Sequence, residues 1–173
     1  GKRKGASGDY SPSSLPPEYV VGMEKEGLKR VMEFVHAGGN VVTWGNSTNL
    51  FMGAMKVNIG KEEEDFKLPI SNIAKQLTKK GLYVAGSLAT VKVIPNHPLT
   101  YGLENTANVF FRGDPVFQTS QPGFDIDRRV IASFPKEDIC PSGYMKNEDL
   151  LAKLPAAVWI KKGKGQMVFY SFS

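Results

Sequence analysis

Beyond Glu24, apolar residues recur at Leu28, Val31, Met32 and Val35. This i, i+3, i+4, i+7 spacing lays one stripe along an α-helix. Gly38-Gly39 follows at once. Glycine adopts the positive φ that ends a helix, so the helix is predicted to stop there. Val41-Val42-Thr43-Trp44, bounded by Gly39 and Gly45, is a short apolar and β-branched run that predicts a buried strand. Gly45-Asn46-Ser47-Thr48-Asn49 then leads into Leu50-Phe51-Met52, a tight turn opening a short helix behind a polar cap. From Glu24 to Asn49 the pattern reads as helix, strand and sharp elbow, half of a βαβ unit.

The pattern changes further along. Lys61-Glu62-Glu63-Glu64-Asp65 reads as a solvated charge run, and Ile70, Ile73, Ala74 and Leu77 as a second short helix ending at Gly81. Leu88 to Ile94, Val109 to Phe111 and Arg129 to Phe134 read as strands. Ala156 to Ile160 and Gln166 to Phe172, separated by Lys161-Lys162-Gly163-Lys164-Gly165, form the clearest hairpin. Residues 1–18, rich in Gly, Ser, Pro and charge, read as a linker or extended loop before a single α/β domain over 19–173. There is no internal repeat.

Composition narrows the function classes. At 173 residues with 41% hydrophobic content, one domain can bury a core without disulfide or metal staples. The net charge of +5 owes three charges to Lys2, Arg3 and Lys4, which leaves a mildly basic body and argues against nucleic acid as partner. No run reaches the ~18 to 20 apolar residues of a membrane span. Cys140 is the single cysteine, which excludes an intrachain disulfide and a multi-cysteine metal site. Neither His36 nor His97 belongs to a metal-ligand pair, and no phosphate-binding glycine loop is present.

Strand-turn-helix elbows can push a nucleophile out at the carboxyl end of a sheet, and Ser47 stands at such a place. It lacks the full G-x-S-x-G spacing, since Asn49 occupies the second glycine position. A base would have to be His36, better suited to the helix C-terminus, or His97, held in the turn Pro95-Asn96-His97-Pro98. Cys140 precedes Pro141 and reads as a structural thiol. Ser47, His97 and Cys140 are thus weak catalytic candidates, and Gly45, Asn46 and Ser47 are the best-placed binding residues. Phe110, Phe111, Phe117, Phe124 and Tyr144 are core by default, with a groove as the alternative.

Several segments in order carry a resemblance. Leu15-Pro16-Pro17-Glu18-Tyr19, Phe34 to Gly39, Trp44 to Ser47, Leu68 to Asn72, Ala85 to Leu88, Asn96 to Gly102 and Gly163 to Phe169 together resemble the glutamine-amidotransferase-like domain attached to carboxypeptidase A-like zinc peptidases. The resemblance implies a flavodoxin-like, class I glutamine-amidotransferase-like three-layer sandwich. Its N-terminal strands and final helix would be missing, its second half would be strand-rich, and the chain would be a piece of a longer protein. It implies zinc in a peptidase domain of the same polypeptide, no cofactor in this chain, and an extracellular or periplasmic setting if that parent is secreted. The amidotransferase cysteine would fall at Asn46 to Ser47, where there is none, and no downstream His-x-Glu pair follows.

The expectation is therefore a non-catalytic accessory domain of a zinc carboxypeptidase, structural or presenting a peptide or small ligand. The alternatives are an acyl hydrolase built on Ser47, or a ligand- or glycan-binding module.

Overall fold

The computed structural model describes residue 23 and residues 25–59 and 62–173. The linker expected over 1–18, the basic Lys2-Arg3-Lys4 and the Leu15 to Tyr19 segment lie outside these residues, as do Glu24 and Lys61.

Helix α1 spans Lys25–His36. Its stripe is buried at Met32 and Val35, with Leu28 and Val31 partly buried beside them. The Gly38 N–H donates to the Val35 carbonyl and the Gly39 N–H to the Phe34 carbonyl, at 3.0 and 2.9 Å. With Gly38 at φ +122°, this pair of bonds is a Schellman stop.

Twelve strands follow among the described residues. They are β1 (Asn40–Trp44), β2 (Ala54–Ile59), β3 (Glu62–Lys67), β4 (Ile70–Asn72), β5 (Tyr83–Val84), β6 (Ser87–Val93), β7 (Thr106–Phe111), β8 (Phe117–Thr119), β9 (Ile126–Ser133), β10 (Met145–Lys146), β11 (Pro155–Lys162) and β12 (Gly165–Tyr170). A second helix, α2, covers Ala74–Lys79. The charge run Glu62 to Asp65 lies in β3 and pairs with β2. Ile70 lies in β4 rather than in the helix expected to begin there.

The main sheet has the order β1-β12-β11-β9-β6-β7. Only β1 and β12 are parallel, in register from Asn40 opposite Gln166 to Trp44 opposite Tyr170. The remaining neighbours are antiparallel. This overturns the flavodoxin-like three-layer sandwich, whose sheet is mostly parallel with helices on both faces. The structure is instead a strand-rich, curled half-barrel sheet. The Ser173 N–H donates to the Phe110 carbonyl at 3.0 Å, so the chain beyond β12 closes across the curl onto edge strand β7. The cause is the strand-rich half: five of the six strands of this sheet come from residues 87–170, and the predicted βα unit supplies one edge.

The core has two parts. Beneath α1, Met32 and Val35 meet Phe66, Ile70, Phe117, Val158, Ile160, Met167 and Phe169. Elsewhere Leu77 of α2 packs with Val91, Phe111, Ile131, Phe134, Ile139 and Leu151. β1 differs from the buried strand expected of it, because Val42 and Trp44 are 53% and 59% exposed. They lie on the face opposite α1, on a strand with a single neighbour. A β-branched run is equally consistent with a central strand and with this exposed edge. Of the aromatics assigned to the core by default, Phe111 and Phe117 are fully buried, whereas Phe124 and Tyr144 are exposed.

Candidate functional site

Trp44 ends β1 in extended conformation, Gly45 turns with φ +53°, and a 3-10 helix runs over Gly45–Phe51. Ser47 lies in its first turn. The Ser47 hydroxyl donates to the Trp44 carbonyl at 2.7 Å and accepts from the Trp44 N–H at 3.2 Å. Thr48, fully buried, closes the same turn by donating to the Gly45 carbonyl at 2.8 Å. The elbow therefore exists, and its hydroxyls hold it shut.

The bases are elsewhere. His36 ends α1, its carbonyl accepting from the Lys164 N–H, at the amino end of β1. The four Cα steps of β1 from Asn40 to Trp44 separate that end from the start of the elbow, about 13 Å at ~3.3 Å per residue. The His97 Nδ1 accepts from the Leu99 N–H at 3.2 Å, and its ring stands edge-on to Trp159 at 5.2 Å. Trp159 is on β11, two strands from β1. Burial, with Arg129 close by, lowers the His97 pKa below its ordinary value against a smaller opposing pull from Asp127. Cys140 lies beside β6, next to the Leu88–Ser142 bridge, with its thiol on the Ser142 carbonyl. The structure thus brings none of Ser47, His97 and Cys140 together. It also shows no group of three or more potential metal-ligating side chains among the described residues.

What the elbow does border is a cavity of about 200 Å³ lined by Gly45, Asn46, Arg112, Asp114 and residues 171–173. Because β1, β12 and β7 all run the same way through the sheet, their carboxyl ends meet here once the sheet curls. Arg112 is exposed and lies over the Phe110 ring at 5.3 Å. It makes no hydrogen bond or ion pair among the described residues. The Ser171 hydroxyl is buried without a hydrogen-bond partner, in a residue only 1% exposed.

Asp114 is held by Asn72, whose amide uses its full capacity. Its nitrogen donates to Asp114 Oδ1 at 2.6 Å and to Asn49 Oδ1 at 2.8 Å. Its oxygen accepts from the Ala74 and Val116 N–H groups at 2.9 and 3.1 Å. One side chain thereby ties the elbow, the start of α2 and the loop after β7 together.

No family model and no curated protein matches the chain. Among solved structures it is similar to a β-galactosidase from Bacillus circulans sp. alkalophilus, at 16% identity and TM-score 0.49, over 85% of this chain and 18% of that one. A second is Gan42B, a GH42 β-galactosidase, at 12% identity and TM-score 0.43, over 86% and 17%. The chain spans less than a fifth of either. The resemblance to an amidotransferase-like domain of a zinc carboxypeptidase is corrected by the sheet itself, whose largely antiparallel order is not that of the expected domain. The zinc and the peptidase partner entered through that resemblance and have no other support.

Sequence reasoning named Gly45 and Asn46, which line this cavity, and did not name Arg112, Asp114, Ser171 or Asn72. Two signals were present. Arg112-Gly113-Asp114 sets opposite charges around a glycine just after an aromatic strand, and Ser171 is the lone small polar residue between Tyr170 and Phe172.

Proposed function

We propose that this chain is a non-catalytic accessory domain, working by holding or presenting a partner rather than by turnover. The observation that carries this is the bonding of Ser47. Its proton goes to the Trp44 carbonyl and its oxygen accepts the Trp44 N–H. A nucleophilic serine needs its proton directed at a base, and both imidazoles lie at other places in the fold. The elbow is a brace for the carboxyl end of β1. A binding role is favoured over a purely structural one by the polar cavity beside it, on which Arg112 keeps unused hydrogen-bonding capacity.

The test is direct: the 173-residue chain is assayed against p-nitrophenyl esters, glutamine and short peptides, beside Ser47→Ala. The expected outcome is no turnover above the uncatalysed rate for either protein. Turnover by the parent chain that Ser47→Ala abolishes would overturn the reading.

A further inference from the structure

Between β6 and β7 the chain bonds mainly to itself. The His97 Nδ1 accepts from the Leu99 N–H at 3.2 Å and caps the 3-10 turn Pro98–Thr100. The buried Thr100 hydroxyl donates to both the Ile94 and the His97 carbonyls, at 2.9 and 3.0 Å. The Leu103 N–H donates to the Thr100 carbonyl at 3.2 Å. Among the described residues no hydrogen bond of residues 96–103 reaches β7, β9, β11 or β12. Side chains fasten this segment instead. The His97 ring stands on Trp159 of β11 at 5.2 Å. Leu99, Thr100 and Leu103 wall an apolar pocket of about 180 Å³ against Val91, Val109 and Ile131 of the sheet. Leu99 and Leu103 are 41% and 61% exposed, so their grip is weak and His97 is the specific fastening.

That fastening suits one protonation state. An Nδ1 that accepts from a backbone N–H carries no proton, so the imidazole is neutral with its proton on Nε2. A second proton goes onto Nδ1, sets two donors face to face and breaks the cap. The surroundings oppose the charge as well. β9 brings Arg129, whose guanidinium lies 5.9 Å from the centre of the same Trp159 ring, and Asp127, 3.5 Å from Arg129. β11 brings Lys161, opposite Asp127, and β12 the neutral Gln166, which accepts from the Trp159 N–H at 2.7 Å. An indole attracts a cation, but Arg129 already shares this one. Burial and Arg129 together outweigh Asp127 and hold the His97 pKa below its ordinary value. A closed state that resists a proton is, by linkage, one that a proton opens.

We propose that residues 96–103 form a proton-released lid over this apolar pocket, latched by neutral His97 on Trp159 and freed when Nδ1 takes up a proton. Asn96 and Gly102, in left-handed backbone at φ 69° and 80°, are its pivots. Release turns Leu99 away from the sheet and uncovers Val91 and Ile131, which are buried while the lid is closed. Nothing at the elbow takes part.

The experiment follows the 15N-labelled 173-residue chain by NMR from about pH 8 to about pH 4.5, a range that brackets the imidazole. Imidazole spectra give the tautomer and midpoint of His97. Backbone amides report the lid at Leu99 and Thr100 and the sheet at Val158 and Phe169. Expected are an Nε2–H tautomer at the alkaline end and a midpoint below the ~6.5 of a free imidazole. The Leu99 and Thr100 amides should move at that same midpoint while Val158 and Phe169 hold still. Hydrogen exchange at Leu99, corrected for its intrinsic pH dependence, should speed up by about tenfold across the transition. His97→Asn keeps an acceptor for the Leu99 N–H and cannot titrate, so its lid amides should stay still throughout. Arg129→Gln removes the opposing cation and should move midpoint and lid together to higher pH, and Asp127→Asn to lower pH.

The proposal is overturned if the proton of neutral His97 sits on Nδ1, or if the lid amides pass through the His97 midpoint unmoved. It is overturned equally if His97→Asn leaves their pH response in place or Arg129→Gln leaves the midpoint where it was. Loss of the Val158 and Phe169 signals at the same midpoint would also contradict it, since the event is then unfolding of the sheet rather than release of a lid.

Discussion

At the amino end of the parallel β1–β12 pair, backbone lies on backbone; at the carboxyl end, polar side chains with unused capacity surround a cavity. The amino end has no spare room. A Cβ on Gly165 would stand 2.0 Å from the Val35 carbonyl oxygen and 2.3 Å from that of Gly39, and the Gln166 N–H donates to Gly39 across this junction. Its buried cation, Lys162 at 4% exposure, is paired with Asp125 and lies over the Phe66 ring. At the other end Arg112 has no such partner and Ser171 has none either. One pair of strands thus carries a closed end that fixes the fold and an open end free to meet a ligand.

The sharpest way to break this contrast is Gly165→Ala, which forces backbone to move and should cost about 3 kcal/mol in urea unfolding. Next is Asn72→Ala, which strands the two backbone N–H groups it accepts from and releases Asp114. About 2 kcal/mol is expected. Ser47→Ala removes the brace at the elbow and should cost about 1 kcal/mol. Ser171→Ala is the smallest, within about 0.5 kcal/mol of the parent and on the stabilising side if it moves at all, because it removes an unsatisfied buried hydroxyl. A loss above 2 kcal/mol there would mean that the hydroxyl is engaged in the free protein.

Two titrating groups, neither of them at the elbow cavity, give stability its own pH dependence. Hydrogen bonding to Lys162 lowers the Asp125 pKa. Its contribution is therefore present above the unfolded carboxylate value of about 3.9 and lost as pH falls through the lower folded value. His97, lowered chiefly by burial, gives a second window. Unfolded chains take up its proton near pH ~6.5 and folded ones only below that, so stability declines as pH falls from there toward the folded value. His97→Gln should flatten the neutral window and leave the acid one, measured as midpoint shifts in urea between pH 4 and 8.

How much of this was legible in the sequence depends on range. Helix α1 and its stop at Gly38 were readable because a helix stripe and a Schellman turn are written within a dozen residues. The partner of β1 was not: Val41 pairs with Met167, more than a hundred residues on, and Val41 to Trp44 suits a central parallel strand and an exposed edge alike. That ambiguity let the buried-strand, half-βαβ reading stand, and the family resemblance then supplied the flavodoxin-like sheet that the observed strand order overturns.

The site divides in the same way. Gly45 and Asn46 were visible because an elbow is local. Arg112, Asp114, Ser171 and Asn72 reach it through the curl of a mixed sheet, which no periodicity encodes. The aromatics show the same limit, since Phe110 and Phe111 are neighbours in sequence, yet one is 39% exposed beneath Arg112 and the other fully buried.

The central claim is that Ser47 braces a turn and does not attack. Intact-mass spectrometry after treatment with a fluorophosphonate reads this directly, since an activated serine hydroxyl is phosphonylated stoichiometrically and a bonded one is not. The account predicts an unchanged mass. An adduct of one equivalent, mapped to Ser47 and lost in Ser47→Ala, would contradict it.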